Sequence, residues 1–458
     1  MRTIKYRGRA CLLVAILAFW GCQSPQTNEP QTDKPNVIFI LVDDLGYGDL
    51  GCYGQTRIQT PRLDRMAQEG MRFTQHYAGN TVCAPSRGAL VSGLHTGHCT
   101  VRGNEKVLMR PDEPTLGTIM KEAGYETACI GKWGVGHWPT YQDVKQAGFD
   151  YFFGYLSMWH AHNSYPEFLW RNNRKVSLRN VVTHPPAHYE AGQENLTGVA
   201  NKRHEHSNDL FTEDALAYIE GRKNNPFFLF LNYTIPHANN EATRSFRNWL
   251  VRENKGPTDS GVYDISVKPG PVPMEVPALG IYRDKTWPAS EKAKAAMITH
   301  LDDSVGRLLD KLKKLGLDDK TLVIFTSDNG PHAEGVDPTF FNSSGPLRGA
   351  KRDLYEGGIR VPMIAYWPGT IDSGTESQHV SAFWDYLPTL AELADVECPP
   401  TDGISLVPGL QGQLQPKHEY LYWEFHESSS KQAVRVGKWK AVRIKPSDKI
   451  ELYDMEND

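Results

Sequence analysis

Five stretches of the chain are apolar without alternation: "NVIFILV" (36–42), "YETACIG" (125–131), "NPFFLFLNY" (225–233), "TLVIFTS" (321–327) and "VPMIAYW" (361–367). A strand with one wet face alternates polar and apolar side chains. Unbroken β-branched and aromatic runs therefore predict strands covered on both faces, as in a parallel sheet. Between them the apolar period lengthens to that of a helix in "TPRLDRMAQEG", "LFTEDALAYIEGRK" and "SEKAKAAMITHLDDSVGRLLDKLKKLG". The first has Pro at its start and Gly at its end, and the last ends on Gly. Strands alternating with helices predict an α/β sandwich around a mostly parallel sheet. From about Leu156 to Asn208 this rhythm breaks. After about Lys417 the stretches "HEYLYWEF", "KQAVRVGKWKAVRI" and "IELYDMEND" predict a small antiparallel sheet.

Ligands of open α/β sheets bind at the carboxyl ends of the strands, so the residues following each run matter most. "NVIFILV" is followed by Asp43 and Asp44, and "TLVIFTS" by Asp328, Asn329 and Gly330. Each cluster alone reads as a helix cap or an Asx turn. Together at neighbouring strand ends they place three carboxylates and an amide oxygen close to one another. Such crowding calls for a counter-charge, and an all-oxygen set suits Ca2+ or Mg2+.

The N-terminus predicts export. "MRTIKYRGRA" is basic, "CLLVAILAFW" is apolar but too short to span a bilayer, and "GCQS" follows, which together describe a secretory signal over 1–22. Gly21-Cys22 resembles the lipobox of bacterial lipoproteins, with Phe19 where Leu is usual, which makes Cys22 a lipidation candidate. Residues 23–35 form a polar tether. The expected location is the periplasm or cell surface, with a lipid anchor. Of the seven cysteines, Cys52, Cys83, Cys99, Cys129 and Cys398 remain beyond Cys22, without CxxC spacing. That odd number makes neither a disulfide framework nor a thiolate zinc site. A net charge of −4 gives no basic footprint for nucleic acid.

One cysteine sits in a distinctive setting. Residues 83–93 read "CAPSRGALVSG", which matches C-x-P-S-R-x-x-x-x-[ST]-G. With "VDDLGYGDLGCYG", "TPRLDRMAQEGMRFTQHY", "IGKWGVG", "SDNGPH" and "RGAKRDLYEGGIRVP" in the same order, the chain resembles the formylglycine-dependent sulfatases from about Pro35 onward. The resemblance implies an alkaline-phosphatase-like sandwich: a catalytic domain over 36–415 and a C-terminal antiparallel subdomain over 416–458. Relatives continue past the Leu-Tyr-Asp motif, so the subdomain is expected to be incomplete at Asp458.

The resemblance also implies that a maturase oxidises Cys83 to formylglycine. The hydrated aldehyde is a geminal diol: one hydroxyl attacks sulfur, and the other loses its proton to expel sulfate as the aldehyde reforms. Serine or an unmodified thiol has no such second step. By the same resemblance, Asp43, Asp44, Asp328, Asn329 and modified Cys83 hold the metal. Arg87 supports the diol and the carboxylates, Lys132 and Lys351 hold sulfate oxygens, and His237 protonates the departing sugar oxygen. Many relatives read G-K-W-H-x-G, but this chain has Gly134 at the histidine position, with His137 as one replacement.

The irregular segment over 156–208 is dense in His, Asn, Tyr and Trp, and His160 and His162 are its substrate-contact candidates. The expected substrates are galactose or N-acetylgalactosamine sulfates of glycosaminoglycans or algal galactans. Two rivals stand beside this reading. A phosphatase or phosphodiesterase of the same superfamily requires a Ser or Thr nucleophile and His-rich zinc ligands. A non-catalytic glycan-binding lipoprotein results if Cys83 is never converted.

Overall fold

The computed structural model describes residues 34–104, 107–136, 139–184, 196–242, 272–427 and 429–458. The signal segment, Cys22, most of the tether and His137 lie outside the described residues. The unit from Lys34 to Asp458 is built on a ten-stranded sheet. In chain order its strands are β1 (Asn36–Asp43), β2 (Met71–Phe73), β3 (Glu126–Lys132), β4 (Tyr151–Tyr155), β5 (Phe168–Arg171), β6 (Arg174–Ser177), β7 (Phe227–Pro236), β8 (Thr321–Ser327), β9 (Met363–Tyr366) and β10 (Thr375–Ser377). Their spatial order is β10-β2-β9-β8-β1-β7-β3-β4-β5-β6.

The five central strands, β8-β1-β7-β3-β4, are mutually parallel. They include four of the five runs predicted to be covered on both faces. The fifth, β9, is equally buried but pairs antiparallel with β8. Its run has the same composition because burial on both faces, not strand direction, is what selects it.

The two faces of β1 show how the sandwich forms. Ile38, Ile40 and Val42 join a core with the helices α1 (Pro61–Glu69), α2 (Ser207–Gly221) and α3 (Ala289–Leu315). Val37, Phe39 and Leu41 point the other way, into a second core. That second core includes Ala84, Leu90 and Val91 of the helix Cys83–Ser92. Successive side chains of a strand face opposite sides, so one apolar run serves both layers.

The irregular segment after β4 is more regular than its composition suggests. Its first part supplies β5 and β6, which extend the main sheet antiparallel. Val181–Thr183 and Val199–Lys202 then pair as a separate ribbon. Near the C-terminus, Leu421–Phe425, Lys431–Val436, Trp439–Arg443 and Glu451–Asp454 form an antiparallel meander. Trp423, Phe425, Ala433 and Val442 face the body of the unit, against Tyr77, Val82 and Trp384.

Candidate active site

Four strands of the parallel sheet end at one place. β1 delivers Asp43 and Asp44, β8 delivers Asp328 and Asn329, β3 ends on Lys132, and β7 leads into His237. Asp44 has φ of 67°. This left-handed conformation is tolerated by Asp better than by most residues, and it turns the chain as β1 ends.

The helix Cys83–Ser92 approaches with its N-terminus, which favours negative charge. The Cys83 thiol donates to Asp43 Oδ1 at 3.2 Å. One turn on, Ser86 Oγ donates to the Asp328 carbonyl at 2.5 Å. Arg87 Nε donates to Asp328 Oδ2 at 2.9 Å, and Arg87 Nη1 donates to the Lys132 carbonyl and to Asn232 Oδ1. The four-residue spacing puts Cys83 and Arg87 on one helix face.

The carboxylates and basic side chains pair one to one. Lys132 Nζ donates to Asp43 Oδ2 at 2.7 Å, Lys351 Nζ to Asp44 Oδ2 at 2.8 Å, and Arg87 serves Asp328. The crowding of acids anticipated from the strand ends is therefore already matched by three cations. The case for a metal rests instead on Asn329. Its Nδ2 donates to Asp44 Oδ1 at 2.6 Å, while its Oδ1 is buried with no hydrogen-bond partner. A buried acceptor among carboxylate oxygens is costly without a donor or a cation. The all-oxygen set of Asp43, Asp44, Asp328 and Asn329 thus fits a hard divalent ion.

The electrostatics follow from burial and these pairings. Burial pushes Asp43 up, but Lys132, His237, Arg87 and Lys351 outweigh it and hold its carboxyl well below the usual range. Burial and the neighbouring Asp43 push Asp328 up to about 7 against Arg87. Burial, reinforced by Asp43, raises the Cys83 thiol far above its ordinary value. A thiol held in its neutral form is a poor nucleophile. Burial and then Lys351 push His237 down to about 3.

The Sulfatase family model matches residues 35–396, and the model described as N-sulphoglucosamine sulphohydrolase, C-terminal, matches 349–458. The chain belongs to the sulfatase family. It is 31% identical over 438 residues to N-acetylgalactosamine-6-sulfatase of Sus scrofa, covering 91% of this chain and 72% of that one. It is 29% identical to human arylsulfatase D, covering 92% and 77%. Among solved structures, that of Ps i-CgsB in complex with k-i-k-neocarrahexaose matches with a TM-score of 0.68 and 26% identity, over 93% of this chain and 87% of that chain. The sulfatase is a sulfuric ester hydrolase with an alkaline-phosphatase-like sandwich.

The sequence candidates fall into two groups. Cys83, Arg87, Lys132, His237, Lys351, Asp43, Asp44, Asp328 and Asn329 converge as described. The two histidines of the irregular segment part company. The His162 ring stacks on His237, with centroids 5.1 Å apart and planes 11° apart, and its Nδ1 lies 3.1 Å from Glu241 Oε1. His160 is instead packed against the rings of Tyr155 and Phe168 at 4.9 and 4.6 Å, and burial pushes it down to about 3. Its surroundings are those of a core side chain.

Gly134 has a steric explanation. Its φ is +60°, and a Cβ there would meet Lys132 Cε at 3.0 Å and Arg87 Cδ at 3.3 Å. A histidine at this position would be strained and would press on two site residues.

Sequence reasoning gave no role to His332, Asn232 or Ser86, although Ser86 stands in the cysteine motif. The His332 ring also lies against His237, with centroids 5.9 Å apart, and its Nε2 lies 3.1 Å from the Pro236 carbonyl. "SDNGPH" contained the signal, a histidine four residues after a strand-end Asp. Nothing local marks Asn232, the Arg87 partner, because it sits inside an apolar strand.

Proposed function

We propose that this sulfatase removes sulfate from galactose or N-acetylgalactosamine units of glycosaminoglycans or algal galactans, using formylglycine made from Cys83 and Ca2+. The observation that carries the reading is the position of Cys83. It lies at the head of a buried helix, 3.2 Å from Asp43, inside a ring of strand-end carboxylates and cations. The N-acetylgalactosamine-6-sulfatases and the carrageenan-oligosaccharide complex support the sugar class.

Asp43, Asp44, Asp328 and the Asn329 amide oxygen would hold the cation, which supplies fixed positive charge beside position 83. Lys132 and Lys351, each tied to a carboxylate in the free protein, would turn toward sulfate oxygens. Arg87 holds Asp328 in place through a bond that survives that exchange. His237 Nδ1 donates to the Ala238 carbonyl at 2.6 Å. This leaves Nε2 facing the site, where it can protonate the departing sugar oxygen. Ring contacts with His162 and His332 restrain that imidazole. An incoming sulfate adds negative charge near His237, which favours the protonated form that burial opposes.

Export and lipidation at Cys22, with location in the periplasm or at the cell surface, belong to the same reading, and so does a dedicated maturase. Mass spectrometry of the peptide spanning Cys83 tests it. A thiol-to-aldehyde mass loss is expected, along with sulfate release from N-acetylgalactosamine sulfate. Active protein with an intact Cys83 thiol would overturn the reading.

A further inference from the structure

Outside the strand-end cluster, three titratable side chains converge where α2 begins. His206 is the residue preceding α2, Asp209 lies in its first turn, and His300 comes from the middle of α3. Ligand atoms of the three lie within 4.8 Å of one another.

His206 is 3% exposed. Its Nε2 lies 3.2 Å from the Glu275 carbonyl, which can only accept, so Nε2 carries the proton. The lone pair is therefore on Nδ1, which is buried and has no hydrogen-bond partner. A backbone carbonyl fixing one imidazole nitrogen while the other is left bare is the usual arrangement of a metal-ligating histidine. The Tyr165 ring packs edge-on against this imidazole at 5.0 Å and limits its rotation.

His300 Nε2 lies 2.6 Å from Asp209 Oδ1, so a proton is shared between a second ligand and a third. These two side chains are 26% and 44% exposed, which opens a path from solvent. The nearby cations are engaged elsewhere, Arg203 with Glu275 at 3.0 Å and Arg307 with Glu213 at 2.5 Å.

We propose that His206, Asp209 and His300 form a second metal site, for a borderline divalent transition ion such as Zn2+. Two imidazoles and one carboxylate are the ligand chemistry of zinc rather than calcium. Binding replaces the proton between His300 and Asp209 with the cation and releases it to solvent. The ion ties the start of α2 to α3. Since Thr234 of β7 bonds the Asn208 side chain two residues after His206, the brace also secures the strand that leads to His237.

The test is titration of the purified full chain with Co2+, read by visible absorption, followed by displacement with Zn2+. We expect one low-symmetry Co2+ band per chain that disappears in His206→Gln and in His300→Gln but persists in Asp43→Asn. Excess Zn2+ should raise the Tm of the wild type by about 3 °C and leave both histidine variants unmoved. If His206→Gln fails to fold, the half-exposed His300→Gln gives the same readout. Absence of the band in wild type, or a band unchanged in His300→Gln, overturns the proposal. So does a band lost only in Asp43→Asn, which assigns the ion to the strand-end cluster.

Discussion

Two buried groups of charge in this sulfatase obey different rules. At the strand ends, Asp43, Asp44 and Asp328 face Lys132, Lys351 and Arg87 in one small volume. Burial, reinforced by the neighbouring Asp43, pushes Asp328 up to about 7 there. Behind the C-terminal sheet, Glu356 stands alone among donors. Lys440 Nζ reaches its Oε1 at 2.7 Å, and Tyr77 OH donates to its Oε2 at 2.6 Å. Burial pushes Glu356 up, but Lys440 and Arg360 outweigh it and hold it at about 2. One carboxylate with its own partners is a joint between the meander and the sheet body. Three carboxylates beside an unpartnered amide oxygen form a receptacle, which the proposed function fills with cation and substrate.

Changes at the receptacle should abolish turnover with little loss of fold, and changes at the joint should do the reverse. Cys83→Ala removes one thiol hydrogen bond, so the protein should fold normally. Loss of the nucleophile should lower kcat/KM on a sulfated sugar by roughly 10⁵-fold or more. Retention of more than a few per cent of activity would count against the assignment.

Chelation of the proposed cation should cost several kcal/mol of charge stabilisation, roughly 10³-fold in rate. Added Ca2+ should restore activity in wild type but not in Asp44→Asn. Restoration by Zn2+ alone would point to the phosphatase-like alternative.

His237→Ala should lose about 10²–10⁴-fold on N-acetylgalactosamine sulfate, the usual worth of general acid catalysis. The loss should be far smaller on nitrophenyl sulfate, whose leaving group hardly needs a proton. Lys132 and Lys351 are proposed to hold the sulfate common to both substrates, so their variants should depress the two rates evenly. Equal losses on both substrates in His237→Ala would remove it from the acid role.

At the joint, Lys440→Met strands a buried carboxylate and should cost about 3–5 kcal/mol of stability, while kcat/KM of the folded fraction stays unchanged. Chemical denaturation followed in parallel with activity separates the two effects.

The smallest effect is in the pH dependence of stability. Glu356 has a folded pKa of about 2, below its ordinary 4.5. Its contribution is complete above pH 4.5 and is lost as pH falls toward 2, an amount of about 3 kcal/mol. Glu356→Gln should flatten the stability curve across that window, and an unchanged slope would show that the pair is not coupled to folding.

The receptacle was far more legible in the sequence than the joint. Its strand-end carboxylates and amide follow apolar runs directly, so locating the strands locates those side chains. Cys83, Ser86 and Arg87 fall within one helical turn of a recognisable motif. Glu356, Lys440 and Tyr77 come from three segments with no shared pattern, and only packing of the meander brings them together. His160 and His162 make the same point at short range. They are two residues apart and alike in sequence, yet a one-turn 3-10 helix over His160–His162 sends one ring to the core and the other to His237.

The chain by itself determined where strands and helices lie, which strand ends carry acidic and amide side chains, and which cysteine heads the motif helix, because periodicity and strand-end chemistry are local properties. The tertiary structure decided that β9 runs antiparallel, that each carboxylate has its own cation, that Gly134 is enclosed by Lys132 and Arg87, and that His162 and His332 both contact the His237 ring. Those outcomes depend on sheet order and on contacts between residues hundreds of positions apart, such as Asn329 with Asp44, and no local pattern encodes them.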